Sequence, residues 1–100
     1  MYKLKYFERF SERKNDAYYL CDDKDKRVAY KSGIYPRVEV NHDLKEIVFY
    51  QIRDRERDMG INNALFKLTK DTLVEIYEDY EVNPIRTQYN YMYLEWIENN

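Results

Sequence analysis

Apolar and polar residues alternate through the first half of the chain. Tyr2, Leu4 and Tyr6 are separated by Lys3 and Lys5, which is the period of two that is typical of a strand with one buried face. Further stretches rich in β-branched and aromatic residues follow at 17–21, 27–31, 37–41 and 46–52. The pattern predicts an antiparallel meander of about five strands within residues 2–52.

The stretch at 46–52 differs from the others because it is apolar on both faces. Such a strand lies centrally, with cover on both sides of the sheet or with an oligomeric partner against it. Aromatic residues also make up 17% of the chain, and twelve residues are tyrosines. We therefore expect a homodimer that buries tyrosine-rich surface.

The apolar period lengthens in the second half. Four residues recur at the spacing of one helix face: Leu73, Ile76, Tyr77 and Tyr80. Thr69 is a suitable N-cap for this helix, and Asp71 in its first turn would complement the helix dipole. The alternative is a hairpin within residues 65–80 that turns at Lys70 and Asp71. Residues 53–63 fit neither period and are expected to form a charged, mobile connection.

A second helix is predicted over residues 84–98. Asn83 before Pro84 is a favoured helix start. A continuous apolar stripe follows and should pack on the sheet: Ile85, Tyr89, Met92 and Trp96, widened by Tyr93 and Ile97. The whole pattern predicts an α+β fold, with one or two C-terminal helices on the sheet and a single domain over residues 1–100.

Composition narrows the class of protein. Hydrophobic residues make up 44% of the chain and charged residues 36%, which is typical of a folded domain. No stretch approaches the roughly 20 apolar residues that cross a membrane, and the N-terminal residues carry charges where a signal peptide is apolar. The single cysteine, Cys21, fits a reducing compartment. We expect a cytoplasmic protein with no membrane contact.

Residues for catalysis are sparse. His42 is the only histidine and lies in a turn-like context, while Cys21 lies in a strand pattern and should be a buried, inert thiol. Asp22, Asp23 and Asp25 lack the glycine and distal glutamate of a calcium loop. Two isolated glycines cannot form a phosphate-binding loop. The sequence predicts neither an enzyme nor a metal or cofactor site.

One segment stands out as a candidate partner-binding surface. Residues 71–82 contain five acidic residues and no basic one: Asp71, Glu75, Glu78, Asp79 and Glu81. On a helix, four of them would lie away from the apolar face, where like charges repel and cost some stability. An anionic surface of this kind fits a basic site, such as a nucleic-acid-binding site, on another protein.

A second candidate lies near the N-terminus, where basic residues alternate with aromatic ones. The residues that would contact nucleic acid are Lys3, Lys5, Arg9 and Lys31. A sheet face with exposed tyrosine and lysine side chains can stack on and clamp a single strand. The net charge of −2 argues against nucleic acid as the main partner.

Taken together, a short tyrosine-rich chain with few glycines and an acidic face has the character of small proteins carried by viruses and mobile elements. We expect a stoichiometric inhibitor that occludes a basic site of a host protein, such as a defence enzyme that binds nucleic acid. The alternative is a small nucleic-acid-binding or regulatory protein that uses the N-terminal sheet.

Overall fold

The computed structural model describes residues 1–11, 14–52 and 59–100 and confirms an α+β fold. The strands are β1 (Lys3–Tyr6), β2 (Asn15–Cys21), β3 (Arg37–Asn41) and β4 (Glu46–Tyr50). A short 3₁₀ helix, Glu8–Phe10, lies between β1 and β2. The helices are α1 (Met59–Thr69), which continues through a π-helical stretch (Lys70–Val74), and α2 (Gln88–Glu98).

The four strands form an antiparallel meander in the order β1-β2-β3-β4. On one face, Tyr18 lies opposite Val38 and Val38 lies opposite Phe49. This inner face packs against both helices, and its apolar residues form the main core with Leu65, Phe66, Leu73 and Tyr93. The alternation that predicted the strands therefore separates a covered inner face from an outer face.

The predicted strand at 27–31 is wrong, so the sheet has four strands rather than five. Arg27 makes only an isolated bridge to Cys21, and the chain then leaves the sheet. The Tyr30 ring is buried and its hydroxyl hydrogen-bonds Asn62 of α1. Residues 27–31 favour a strand by residue type, but β3 already pairs with the edge of β2. The segment instead packs against α1 through Tyr30.

The first helix is longer than predicted and begins earlier. It excludes the hairpin for residues 65–76, and residues 59–63 belong to it rather than to a connection; residues 53–58 lie outside the described part of the chain. Thr69 is not the N-cap, because it lies buried within the helix and its hydroxyl donates to the Leu65 carbonyl at 2.8 Å. Thr72 bonds the Leu68 carbonyl in the same way, at 2.5 Å. Hydroxyls that bond back to the preceding turn disturb a helix, and a π-helical stretch follows here.

The second helix is present but begins later than predicted. Its N-cap is Thr87, whose hydroxyl accepts a hydrogen bond from the Asn90 N–H at 3.2 Å. Asn83 instead accepts from the Ile85 N–H at 2.9 Å and forms a separate turn. Ile85 is 87% exposed, so the prediction that it packs inward is wrong.

The centre of the inward face of α2 is Tyr93, which is 1% exposed, beside the fully buried Asn90. Tyr89, Met92 and Trp96 are partly buried and pack at the sides of this face. The prediction that Tyr89, Met92 and Trp96 pack inward is therefore correct, but the most buried side of the helix is centred on Tyr93.

Candidate functional surfaces

The five predicted acidic residues lie on three consecutive segments. Asp71 and Glu75 are on the last turns of the first helix, Glu78 and Asp79 are in the turn that follows, and Glu81 lies beside the start of β4. All five side chains are exposed. We call these five residues the acidic surface. The prediction that four of them share one helix face is wrong, because the helix ends at residue 76.

Ion pairs engage two of the five residues of the acidic surface. Lys67 donates to Asp71 at 2.7 Å, and Lys45 donates to Asp79 at 2.9 Å. The hydrogen bond from Lys45 holds the pKa of Asp79 below its usual value. Three further carboxylates have no cationic partner among residues 1–11, 14–52 and 59–100, and these are Glu75, Glu78 and Glu81. Only part of the predicted negative charge is therefore available to a partner.

Two isoleucines at the surface interrupt or border the acidic segment. Ile76 is 69% exposed between Glu75 and Glu78, and Ile85 is 87% exposed four residues beyond Glu81. The sequence pattern placed Ile76 on the buried helix face with Leu73. Leu73 is buried as predicted, but the helix ends at Ile76, whose side chain points to solvent. Exposed aliphatic side chains amid carboxylates resemble an apolar contact with a charged rim.

Backbone hydrogen bonds fix this segment to the sheet. The Glu81 N–H donates to the Lys45 carbonyl at 2.9 Å, and the Ile47 N–H donates to the Glu81 carbonyl at 2.9 Å. Glu81 thus continues the sheet beyond the edge of β4 through a single parallel bridge. The acidic surface is consequently preorganised, which lowers the entropic cost of binding.

The sequence analysis missed a half-buried polar cluster that contacts the same segment. The imidazole of His42 bonds the Tyr80 hydroxyl through Nδ1 and the Asp16 carboxylate through Nε2, both at 2.7 Å. A neutral ring with its proton on Nε2 donates to Asp16 and accepts from Tyr80, so every group is satisfied. Tyr77 stacks on Tyr80 with ring centroids 4.8 Å apart. His42 therefore positions the turn that carries Glu78 and Asp79.

The four predicted nucleic-acid contacts lie on three different segments of the chain. Lys3 and Lys5 lie on the outer face of β1, where both approach Asp25. Arg9 lies in the 3₁₀ helix with its guanidinium 4.5 Å from the Phe10 ring centroid. Lys31 lies in a turn outside the strands. The ion pair with Lys3 lowers the pKa of Asp25, and one carboxylate partly neutralises two of the four cations.

The Arg27 guanidinium lies against four aromatic rings of the outer face. Its guanidinium carbon lies 4.2 Å from the Tyr35 ring centroid, 4.7 Å from that of Phe10 and 5.0 Å from that of Tyr19. Phe7 completes the group at 6.0 Å. Phe7 and Phe10 pack on a small outer cluster formed by Ala17, Tyr19 and Cys21. Burial raises the pKa of the Cys21 thiol. The basic–aromatic alternation near the N-terminus signals this arrangement, but not which cation it surrounds.

A groove of about 380 Å³ lies beside this group on the outer face. Its lining residues are Arg9, Phe10, Arg37, Glu39 and Tyr50. The Arg37 Nε donates to Glu39 at 2.6 Å, and the Arg37 guanidinium lies 4.9 Å from the Tyr50 ring centroid. Of these residues only Arg9 was singled out from the sequence, because the others meet only when the strands pair.

Within the described ranges, no group of three His, Cys, Asp or Glu side chains could hold a metal ion. Asp22 instead accepts hydrogen bonds from the Lys24 and Lys26 N–H groups, at 2.8 and 3.0 Å, which lowers its pKa and shapes the turn after β2. None of the helices in the described part of the chain has the length and apolar character needed to span a bilayer.

No protein-family model, curated protein or solved structure matches the chain. The function has to be argued from the surfaces themselves.

Proposed function

We propose that the protein is a binding module that docks through its acidic surface onto a basic site of another protein. The observation that carries the proposal is the exposure of Ile76 between Glu75 and Glu78, on a segment fixed to the sheet. An exposed apolar side chain supplies the contact that excludes water, and unpaired carboxylates around it supply charge complementarity. A nucleic acid would not be recognised by this combination, because the carboxylates repel its phosphates.

The mechanism is steric occlusion. Glu75, Glu78 and Glu81 would pair with lysine or arginine side chains of the partner, while Ile76 enters an apolar recess between them. A basic cleft that binds nucleic acid presents such cations, so the bound module would exclude the nucleic acid. The specific form of the proposal is a stoichiometric inhibitor of a host enzyme, encoded by a virus or another mobile element.

The nucleic-acid alternative receives less support from the geometry. A strand-binding face needs a continuous track of cations for successive phosphates. Lys3 and Lys5 share Asp25, and Lys31 lies in a turn outside the strands. Two of the four predicted cations are therefore partly neutralised by one carboxylate.

The experiment is affinity capture from host lysate on the immobilised chain, with two charge-matched variants. The test variant is E75K/E78K/E81K. The control variant, E8K/D23K/E98K, changes three exposed carboxylates elsewhere and alters the net charge equally. We expect a captured protein that is retained by the unmodified chain and by the control, is lost from the test variant, and is displaced by added DNA.

Two outcomes would overturn the proposal. In the first, the test variant captures the same protein as strongly as the control does. In the second, both variants lose it equally, which would mean that net charge rather than this surface attracts the partner. Circular dichroism of each variant checks that the fold survives, as expected for exposed charges.

A further inference from the structure

Side chains on the outer face form a cross-strand row that the proposed docking function does not use. Lys5 lies opposite Tyr19, Tyr19 opposite Arg37, and Arg37 opposite Tyr50, so the row crosses all four strands. Its end at Arg37 and Tyr50 forms one side of the groove of about 380 Å³. Ligand pockets commonly begin at about 300 Å³, so the groove suits a small molecule or part of one.

Two planar cation–ring pairs line this groove. The Arg9 guanidinium lies 4.5 Å from the centroid of Phe10, and the Arg37 guanidinium lies 4.9 Å from that of Tyr50. Guanidinium and aromatic planes both stack on heteroaromatic bases. The groove therefore favours a flat aromatic ligand over a flexible or aliphatic one.

The two arginines of the groove differ in their ion pairing. Arg37 is paired with Glu39, which also accepts from the Asn15 side chain at 3.2 Å. Arg9 pairs with no carboxylate among residues 1–11, 14–52 and 59–100. Arg9 is thus a cation available for an anion, whereas Glu39 is a fixed acceptor for an N–H group. A ligand that fits has an anionic end and a ring with N–H donors.

We infer that the groove binds a free nucleotide. The base stacks against the Arg37 and Tyr50 planes and donates to Glu39, and the phosphate pairs with Arg9. A single nucleotide rather than a strand is the occupant, because the other cations of this face are already engaged. Asp25 pairs with both Lys3 and Lys5, and the Arg27 guanidinium lies against the Phe10, Tyr19 and Tyr35 rings. A second phosphate has no equivalent of Arg9 in the described residues of the groove.

The test is a titration of isotope-labelled protein followed by backbone amide chemical shifts. The probes are 5′-AMP, adenosine, inorganic phosphate and single-stranded tetraadenylate. We expect 5′-AMP to shift the amides of Arg9, Phe10, Arg37 and Tyr50, with a dissociation constant below about 1 mM. Adenosine and phosphate should each bind at least about tenfold more weakly, since each supplies only one half of the recognition.

Variants locate the site and separate it from the docking surface. R9A should weaken 5′-AMP binding at least about tenfold through loss of the phosphate contact, and Y50L should do so through loss of stacking. K31A serves as the control, because Lys31 is an exposed cation outside the groove. The acidic variant E75K/E78K/E81K should bind 5′-AMP like the unmodified chain, so the two proposals fail independently.

Three results would overturn the inference. One is the absence of shifts at the groove residues with 5′-AMP. Another is equal binding of inorganic phosphate, which would indicate a non-specific anion contact. The third is tetraadenylate binding more than about tenfold tighter than 5′-AMP, which would indicate a track for a strand. A native-like amide spectrum of Y50L is required, and R9A, an exposed substitution, keeps the test valid if Y50L unfolds.

Discussion

The Asn90 side chain completes the free edge of β4 by accepting a hydrogen bond from the Phe49 N–H at 3.0 Å. Its amide nitrogen donates to the Asn83 carbonyl at 2.8 Å and approaches the Ile47 carbonyl at 3.5 Å. Asn90 is fully buried, so these bonds are shielded from water. One side chain of α2 thus replaces a neighbouring strand and joins the helix to the sheet next to the segment that carries Glu81.

Asn90→Ala should therefore destabilise the fold strongly. The change leaves a buried N–H and carbonyl groups without partners, and we expect a loss of about 2–4 kcal/mol in the free energy of unfolding. Urea denaturation followed by circular dichroism measures it. Asn99→Ala, which removes an exposed amide at the C-cap of the same helix, should change the stability by less than about 0.5 kcal/mol. Equal losses in the two variants would show that the buried hydrogen bonds of Asn90 contribute no more to stability than an exposed amide does.

Tyr93 gives a contrasting case, in which the polar atom is dispensable and the ring is not. Its hydroxyl is buried without a hydrogen-bond partner in the described part of the chain, while its ring lies 5.0 Å from that of Phe49. Tyr93→Phe should keep the stability or raise it by up to about 1 kcal/mol. Tyr93→Ala should cost about 3–5 kcal/mol through the cavity that it leaves. A clear loss in Tyr93→Phe would mean that the hydroxyl has a partner.

Buried phenols also predict how stability depends on alkaline pH. Burial raises the pKa of Tyr18 and of Tyr93 to about 12. Since an unfolded tyrosine ionises near pH 10, their contribution is complete below that pH and is lost as the pH rises towards 12. Urea midpoints measured across this range should fall, and less steeply in Tyr93→Phe. Identical curves for the two proteins would contradict the assignment.

Homodimer formation stays a prediction, but one of its grounds is weaker. Ile47, Val48 and Phe49 of β4 are at most 1% exposed within a single chain, so their burial does not require a second copy. The remaining ground is the set of exposed large side chains, such as Tyr6, Tyr35 and Tyr91. Light scattering at high micromolar concentration should report twice the chain mass. The mass of one chain would refute the dimer.

Local patterns predicted the elements well where burial and period agree. The alternation around Val38 and Val40 and the stripe from Tyr89 to Trp96 both correspond to real elements. The predictions failed where a tertiary contact decides the outcome. Tyr30 hydrogen-bonds Asn62, which is 32 positions away in the chain, and does not form part of a strand.

Helix boundaries were predicted less well than helices themselves, because several residues have capping chemistry. Asn83, Thr69 and Thr87 are all suitable N-caps by residue type. Only Thr87 fulfils the role, since Asn83 is engaged in a turn and Thr69 bonds back within its helix. Sequence alone offers no means to rank the three.

The candidate surfaces could also be predicted only where they depend on residues close together in the chain. Helical spacing predicted that Asp71, Glu75, Glu78 and Asp79 face away from the core, and all four side chains are exposed in the structure. The contact between His42 and Tyr80 joins residues 38 positions apart, and the groove depends on strand register. Neither arrangement leaves a local signal in the chain.

The most direct test of the docking proposal is the dissociation constant of the captured partner for the two charge-matched variants, measured by calorimetry. The account predicts that E75K/E78K/E81K weakens binding at least about 100-fold, because three attractive pairs become repulsive. E8K/D23K/E98K should stay within about threefold of the unmodified chain, since distant exposed charges are screened by salt. Equal affinities of the two variants would contradict the account.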